Sequence, residues 1–303
     1  MARHGPATPQ IRSFLSDLHG EPVTGLEPLS GGFWSSAYGY RVGDRELVLR
    51  LSETREWFEV DRAAAAYDST DLPVPLVLEI GDAFGGAYAI SVRHHGRVLE
   101  TVDPSEADVV GPTIVRLLAA LKRVPPGQET SSWRGWLLAG LVDDPGRAVR
   151  GWRPKLAADP EIDALFRACE ATVNELASSC PERRDLVHGD LLHSNVLVSE
   201  DASRVTGVFS WKCSTRGDFL YDTAWCTFWG AYHPGIGAAD VLHRVMADPA
   251  FADGLDGAAE RHHCYELHIG AHHLGWCAWT DDRESLRWVA DRTASVLERG
   301  PVT

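Results

Sequence analysis

Lysine is almost missing from this chain of 303 residues. It occurs only at Lys122, Lys155 and Lys212, so 26 of the 29 basic side chains are arginine. Any site that holds an anionic ligand must then be built mostly from guanidinium forks, with few ammonium point charges. Positive charge as a whole is short, because 43 acidic residues leave a formal net charge of -14. That balance argues against a polyanionic partner such as nucleic acid and for drawing cations toward acidic sites. No apolar run approaches the roughly 18 residues of a membrane span, and the opening MARHGPATPQ lacks the apolar core of a secretory signal, so a cytoplasmic protein is expected. The six cysteines form no C-x-x-C pair and no zinc-finger spacing, which leaves reduced thiols as the expectation. There is no internal repeat and no low-complexity linker.

What is present suffices for a sizeable core: 44% of the residues are hydrophobic, over a length that accommodates two lobes. Residues 8–19 carry Ile11, Phe14, Leu15 and Leu18 on one stripe after Thr8 and Pro9, which predicts an amphipathic helix capped by Thr8. Residues 26–51 alternate around Gly and Ser breaks and predict an antiparallel meander. Its first hairpin holds Gly31-Gly32-Phe33-Trp34-Ser35-Ser36. Two adjacent glycines let backbone N–H groups approach phosphates, and the Ser35 and Ser36 hydroxyls add donors. A helix over 56–67, two strands over 76–80 and 87–92, and then helices over 104–124, 133–142, 160–178, 221–229, 240–246, 258–280 and 283–298 complete the pattern. Five histidines, at 262, 263, 268, 272 and 273, crowd the 258–280 helix, where His268 and His272 share a face.

The most specific stretch runs from Asp185 to Asp222. A short apolar run leads into His188-Gly189-Asp190, Asn195 follows five residues after Asp190, and a second apolar run covers 205–209. An Asp and an Asn at this offset, on a loop between two strand-like runs, suit phosphoryl transfer. The Asp orients an attacking hydroxyl and accepts its proton, and the Asn amide oxygen holds a magnesium ion on nucleotide phosphates.

His188, Gly189, Asp190, Asn195, Trp211, Gly217, Asp218, Tyr221 and Asp222 match the pattern H-G-D-x-x-x-x-N, then I-D-W, then G-D-x-x-Y-D. The chain thereby resembles the aminoglycoside phosphotransferases and related antibiotic kinases, most closely their hygromycin B phosphotransferase-like members. The resemblance implies an α+β, two-lobed, protein-kinase-like fold. Residues 1–95 would form a nucleotide-binding small lobe built on an antiparallel sheet and including the hinge, and 96–303 a helical large lobe with the catalytic loop and acceptor site. It implies further that Arg50 stands at the usual lysine position of the third strand. Asp61, in preference to Glu59, would orient it, and backbone groups around Ser91, Val92 and Arg93 would meet the nucleotide base. His188 and Asp218 would support the loop.

One position departs from the family. Where I-D-W supplies a metal-binding aspartate, this chain reads Val208-Phe209-Ser210-Trp211. A hydroxyl is a weak, neutral ligand for a cation that prefers anionic oxygens, so the metal site at Asn195 and Ser210 should be weakened, rearranged or lost. Asp190 or Asp218 is an alternative ligand. The resemblance implies Mg2+ with ATP or GTP as cofactor and a small-molecule antibiotic as acceptor. The late helices would line the acceptor site, where Glu266, His272, Trp276 and Asp281 are candidates. The expected activity is O-phosphorylation of a hygromycin-like aminoglycoside. A nucleoside antibiotic such as a capuramycin, a small metabolite, and a catalytically impaired nucleotide- or ligand-binding protein are the alternatives.

Overall fold

The structure, a computed structural model, describes residues 6–29, 33–127 and 132–302. In chain order its elements are α1 (Thr8–His19), β1 (Thr24–Leu29), β2 (Ser36–Val42), β3 (Arg45–Ser52), α2 (Arg55–Ala64), β4 (Val77–Ala83), β5 (Gly86–Val92), β6 (Arg97–Val98), α3 (Ala107–Arg123), α4 (Trp133–Gly140), α5 (Arg153–Leu156), α6 (Pro160–Ala177), β7 (Asp185–Val187), β8 (Val196–Val198), β9 (Val205–Val208), β10 (Thr215–Gly217), α7 (Leu220–Gly230), α8 (Pro234–Ala238), α9 (Val241–Ala247), α10 (Ala258–Thr280) and α11 (Arg283–Arg299). They divide into two compact units. The first is residues 1–101 with 190–213, and the second is residues 102–189 with 214–303. Among the described residues no helix is long and apolar enough to cross a membrane.

The first unit is an antiparallel five-stranded sheet in the order β1-β2-β3-β5-β4, with a separate three-stranded sheet β6-β8-β9. Period-2 alternation gives the main sheet two apolar faces. On one, Ile11 and Leu15 of α1 pack against Tyr40, Val42, Leu47, Leu49, Tyr88 and Ile90. On the other, Phe58 of α2 packs with Val77, Ala87 and Ala89. The start of α1 differs from the expected Thr8 cap. Ala7 is the cap residue, and its backbone N–H donates to Gln10 Oε1 at 2.9 Å, so the stabilising acceptor comes from the third helical residue.

The second unit is helical apart from the two-stranded β10-β7 ribbon, and α10 is its centre, packed against α6, α7 and α11. Although α10 is buried on nearly every side, it carries charge inward. Glu266 is fully buried and accepts from Thr227 Oγ1 at 3.1 Å, from Arg292 Nη2 at 3.3 Å and from Arg299. A buried carboxylate is tolerable only when so paired. His268 is likewise buried, placed between the Tyr221 hydroxyl at 3.0 Å and the Leu137 carbonyl at 2.9 Å. Burial, with His272 nearby, lowers its pKa to about 3, so it is neutral.

Gly217 shows how tightly the ribbon is packed. A Cβ there would lie 2.1 Å from Cε3 of the buried Trp133 ring. Trp133 cannot retreat, because its Nε1 donates to Tyr265 Oη at 3.1 Å and its ring stacks on Trp136 at 4.9 Å. Gly217→Ala should therefore destabilise the fold by about 1–3 kcal/mol through overpacking, read as a lowered midpoint in urea denaturation with an unchanged slope.

Candidate active site

In the first unit one carboxylate joins Arg50 to the stretch around Ser210. Because β3 alternates, Leu47 and Leu49 face α1, which turns Arg50 toward the α2 side, over the Phe58 ring at 5.1 Å. There Arg50 Nη1 donates to Asp61 Oδ2 at 2.5 Å, and the other oxygen, Oδ1, accepts the backbone N–H of Trp211 at 2.8 Å. Asp61 thus ties the third strand to the residue that follows Ser210. Glu59 points elsewhere, to Arg55 and Arg62 on its own helix.

Ser210 has φ +64°, a left-handed conformation uncommon for a side chain larger than glycine. The bonds around it hold it there: Phe209 N–H donates to the Asn195 carbonyl at 2.8 Å, and Val208 N–H to the Pro73 carbonyl at 2.8 Å. Asn195 uses its Nδ2 on the Asp190 carbonyl, again at 2.8 Å, so its amide oxygen is the atom left to meet a ligand. His193 and Ser194 are also left-handed, with φ of +64° and +66°. Ser194 N–H donates to Glu100 Oε1 at 2.5 Å, and His193 Nδ1 lies 2.7 Å from Asp190 Oδ1. Burial opposes charge on the imidazole, but the Asp190 hydrogen bond and the Asp190 and Glu100 charges outweigh it and raise the His193 pKa. Neither His193 nor Glu100 stands out in the sequence, since both depend on a loop conformation that spacing does not reveal.

Lys212 lies with its ammonium 4.3 Å from the Trp34 ring centroid and 5.0 Å from that of Trp57. Burial lowers its pKa, against the nearby Asp190 and Asp61 charges, which raise it.

Other expected residues fall less simply. Gly31 and Gly32 lie outside the described residues, while Ser36 opens β2 and Ser35 immediately precedes it. The N–H groups of Val92 and Arg93 donate to the Leu76 and Glu46 carbonyls, each at 3.0 Å, and Ser91 is paired with Val48 and Val77. These donors therefore complete the sheet and are not available to a base. The stretch that follows is different: among the described residues no backbone hydrogen bond engages the N–H of His94 or His95. Sequence periodicity cannot separate the last paired residue of a strand from the first unpaired one.

In the second unit, Asp222 of α7 accepts the N–H groups of His188 at 2.7 Å and Gly189 at 2.9 Å, which fixes the backbone immediately before Asp190. Asp218 is fully buried, with Tyr265 Oη donating to it at 2.8 Å and Arg261 Nε 3.0 Å away. Burial raises its pKa against these partners.

The family described as APH, a phosphotransferase enzyme family, matches residues 25–255. This chain belongs to that family. Hygromycin-B 4-O-kinase of Escherichia coli is 27% identical over 310 residues, covering 97% of this chain and 86% of that protein. A thermostable mutant of the aminoglycoside phosphotransferase APH(4)-Ia, solved as a ternary complex with AMP-PNP and hygromycin B, matches with a TM-score of 0.80 at 26% identity, covering 95% of this chain and 98% of that one. The spectinomycin phosphotransferase APH(9)-Ia, in complex with ADP and spectinomycin, shares the fold at a TM-score of 0.61 and 13% identity, covering 97% of each chain. This phosphotransferase is accordingly a nucleotide-dependent enzyme with a two-lobed α+β fold.

Among the described residues no group of three or more His, Cys, Asp or Glu side chains is placed to hold a metal ion. The family aspartate is replaced by Ser210, and Asp190 is hydrogen-bonded to His193. Of the acceptor candidates, Glu266 is committed to Arg292, Arg299 and Thr227 and holds α7, α10 and α11 together instead. Asp281 pairs with Lys155 at 2.8 Å at the surface, His272 is exposed with Nδ1 3.2 Å from the Gly140 carbonyl, and Trp276 is half-buried against Trp279.

If Asp190 stabilises the His193 imidazolium, the Asp190→Asn variant should show a lower His193 titration midpoint than the parent protein, measured by NMR of the ring protons. An unchanged midpoint would rule out the ion pair.

Proposed function

We propose that this phosphotransferase moves the γ-phosphoryl group of ATP or GTP to a hydroxyl of a small antibiotic, a hygromycin-like aminoglycoside above all, and so confers resistance by inactivating it. The observation that carries the reading is the Asp190–Asn195 loop, held by Asp222 through the backbone of residues 188–189 and by Glu100 through Ser194. Positioning and charge neutralisation supply most of the catalysis in phosphoryl transfer, so a rigid loop of this kind is what the reaction needs. Asp190 orients the acceptor hydroxyl and takes its proton as the oxygen attacks phosphorus in line and the bond to the β-phosphate oxygen breaks. No covalent enzyme intermediate is formed. Arg50, aimed by Asp61, meets the α- and β-phosphates, and the hydroxyls of Ser35 and Ser36 at the start of β2 add donors to them. The base meets the backbone after β5, at His94 and His95. The Asn195 amide oxygen would hold a magnesium ion carried on the nucleotide, and that ion would supply charge neutralisation at the phosphates.

A cationic acceptor also suits a chain with net charge -14, in which His272, Trp276 and Asp281 remain as acceptor candidates. The relatives bound to hygromycin B support this acceptor class over a nucleoside antibiotic or a small metabolite. A second reading, a nucleotide-binding protein with little turnover, is favoured by one observation only, Ser210 in place of the aspartate.

Mass spectrometry of aminoglycosides and nucleoside antibiotics incubated with the protein, Mg2+ and either ATP or GTP tests the proposal. A single-phosphate mass gain on a hygromycin-like acceptor, abolished by Asp190→Ala, is the expected result. A gain on none of them, with no nucleotide hydrolysis, would reverse the order of the two readings.

A further inference from the structure

Lysine is so rare here that each one can be accounted for. Lys122 is paired with Asp253 at 2.6 Å, and Lys155 with Asp281 at 2.8 Å. Both are ordinary partners of exposed carboxylates. Lys212 differs, because among the described residues no carboxylate lies within salt-bridge distance of its ammonium. It is held instead against two indoles, Trp34 at 4.3 Å and Trp57 at 5.0 Å, whose rings meet edge to face at 5.0 Å.

The manner of holding matters. A carboxylate partner fixes an ammonium and cancels its charge, whereas an aromatic face fixes it and leaves the charge and the N–H donors for an anion. The three pieces that meet at Lys212 are those expected to surround nucleotide phosphates. Trp34 follows Gly32 by two residues in the sequence, Trp57 is on α2 with Asp61, and Lys212 itself follows Ser210 by two residues. Asp190 and Asp61 are close enough to act on its charge. Arg50, the other cation of this region, already shares its charge with Asp61. The loop thus lacks one negative group at position 210 and has an uncancelled positive one at position 212.

We propose that Lys212 is a phosphate-binding residue of the nucleotide site, its ammonium supplying the positive charge that a metal ion held by an aspartate at position 210 would supply. The assignment rests on the phosphotransferase reading above and deepens it. It makes the replacement of the aspartate a change in where the cation comes from.

Binding in EDTA separates the two, because it needs neither turnover nor metal. The full-length protein and its Lys212→Met, Lys212→Arg and Lys212→Gln variants are titrated with ATP and with adenosine by isothermal calorimetry. Met keeps the aliphatic contact with the indoles, so adenosine affinity should hold while ATP affinity falls about tenfold or more, the loss of one charge-assisted phosphate contact. Arg should retain most of the ATP affinity, and Gln should lose as much as Met. Ser210→Asp should itself weaken metal-free ATP binding, since a carboxylate would then neutralise the ammonium. If Lys212→Met binds ATP within about twofold of the parent, the assignment is wrong whether or not the protein turns over. If Met loses both ligands through misfolding, the Arg and Gln pair decides: equal ATP affinity in those two overturns it, and a loss confined to Gln upholds it. An absence of phosphoryl transfer in the parent, with the ATP-specific loss intact, would overturn the catalytic reading and leave Lys212 as the phosphate contact.

Discussion

The Asp61 carboxylate is the constraint on which the joining of Arg50 to the Ser210 stretch depends. With one oxygen on Arg50 and the other on the Trp211 N–H, it ties together strand, helix and catalytic stretch through two hydrogen bonds. Asp61 is itself 7% exposed, so neither bond competes strongly with water. The arrangement is economical because each partner needs what the other lacks. A guanidinium beside a buried helix requires a counter-charge, and a backbone N–H next to a left-handed serine requires an acceptor. Remove the carboxylate and both requirements go unmet at once.

A comparable logic runs through the second unit, where charge is buried to fix geometry. Asp222 takes two consecutive backbone N–H groups, and Glu266 takes two arginines and a threonine. Buried ion pairs contribute little net stability against well-packed apolar residues, but they penalise any rearrangement that would leave a charge alone. In a phosphotransferase, where rate comes from holding groups in place, such rigidity serves the chemistry directly.

Much of this was legible in the residues. Long, strongly periodic elements such as α1, α3 and the β2–β3–β5 sheet announce themselves by apolar spacing, and the Asp190–Asn195 offset points to phosphoryl transfer before any fold is known. The partnership of Arg50 with Asp61 was expected from the resemblance to the antibiotic kinases, and the structure shows the two side chains hydrogen-bonded. Other features are invisible for definite reasons. Strands of two or three residues, β6, β7, β8 and β10, are too short to show alternation. The approach of His193 to Asp190 depends on two successive left-handed residues. Glu266 reads as an acceptor-site carboxylate until Thr227 of α7 and Arg292 and Arg299 of α11 are seen to engage it.

The partition of the chain has a consequence for how the protein comes into being. The polypeptide leaves the first unit at residue 101 and returns to it only at Asp190, so that β6 waits for β8, which lies almost a hundred residues further on. A ribosome that has delivered the first 189 residues has made the whole five-stranded sheet, with Arg50 and Asp61 in their strand and helix, and no part of Asp190, Asn195, Ser210 or Lys212. Distant pairings of this kind form late, because the intervening chain must be ordered or closed into a loop first. The sheet is synthesised early, but the chemistry arrives in a single later segment of two dozen residues, 190–213. A nascent chain of this enzyme therefore has no partial activity to express before that segment emerges.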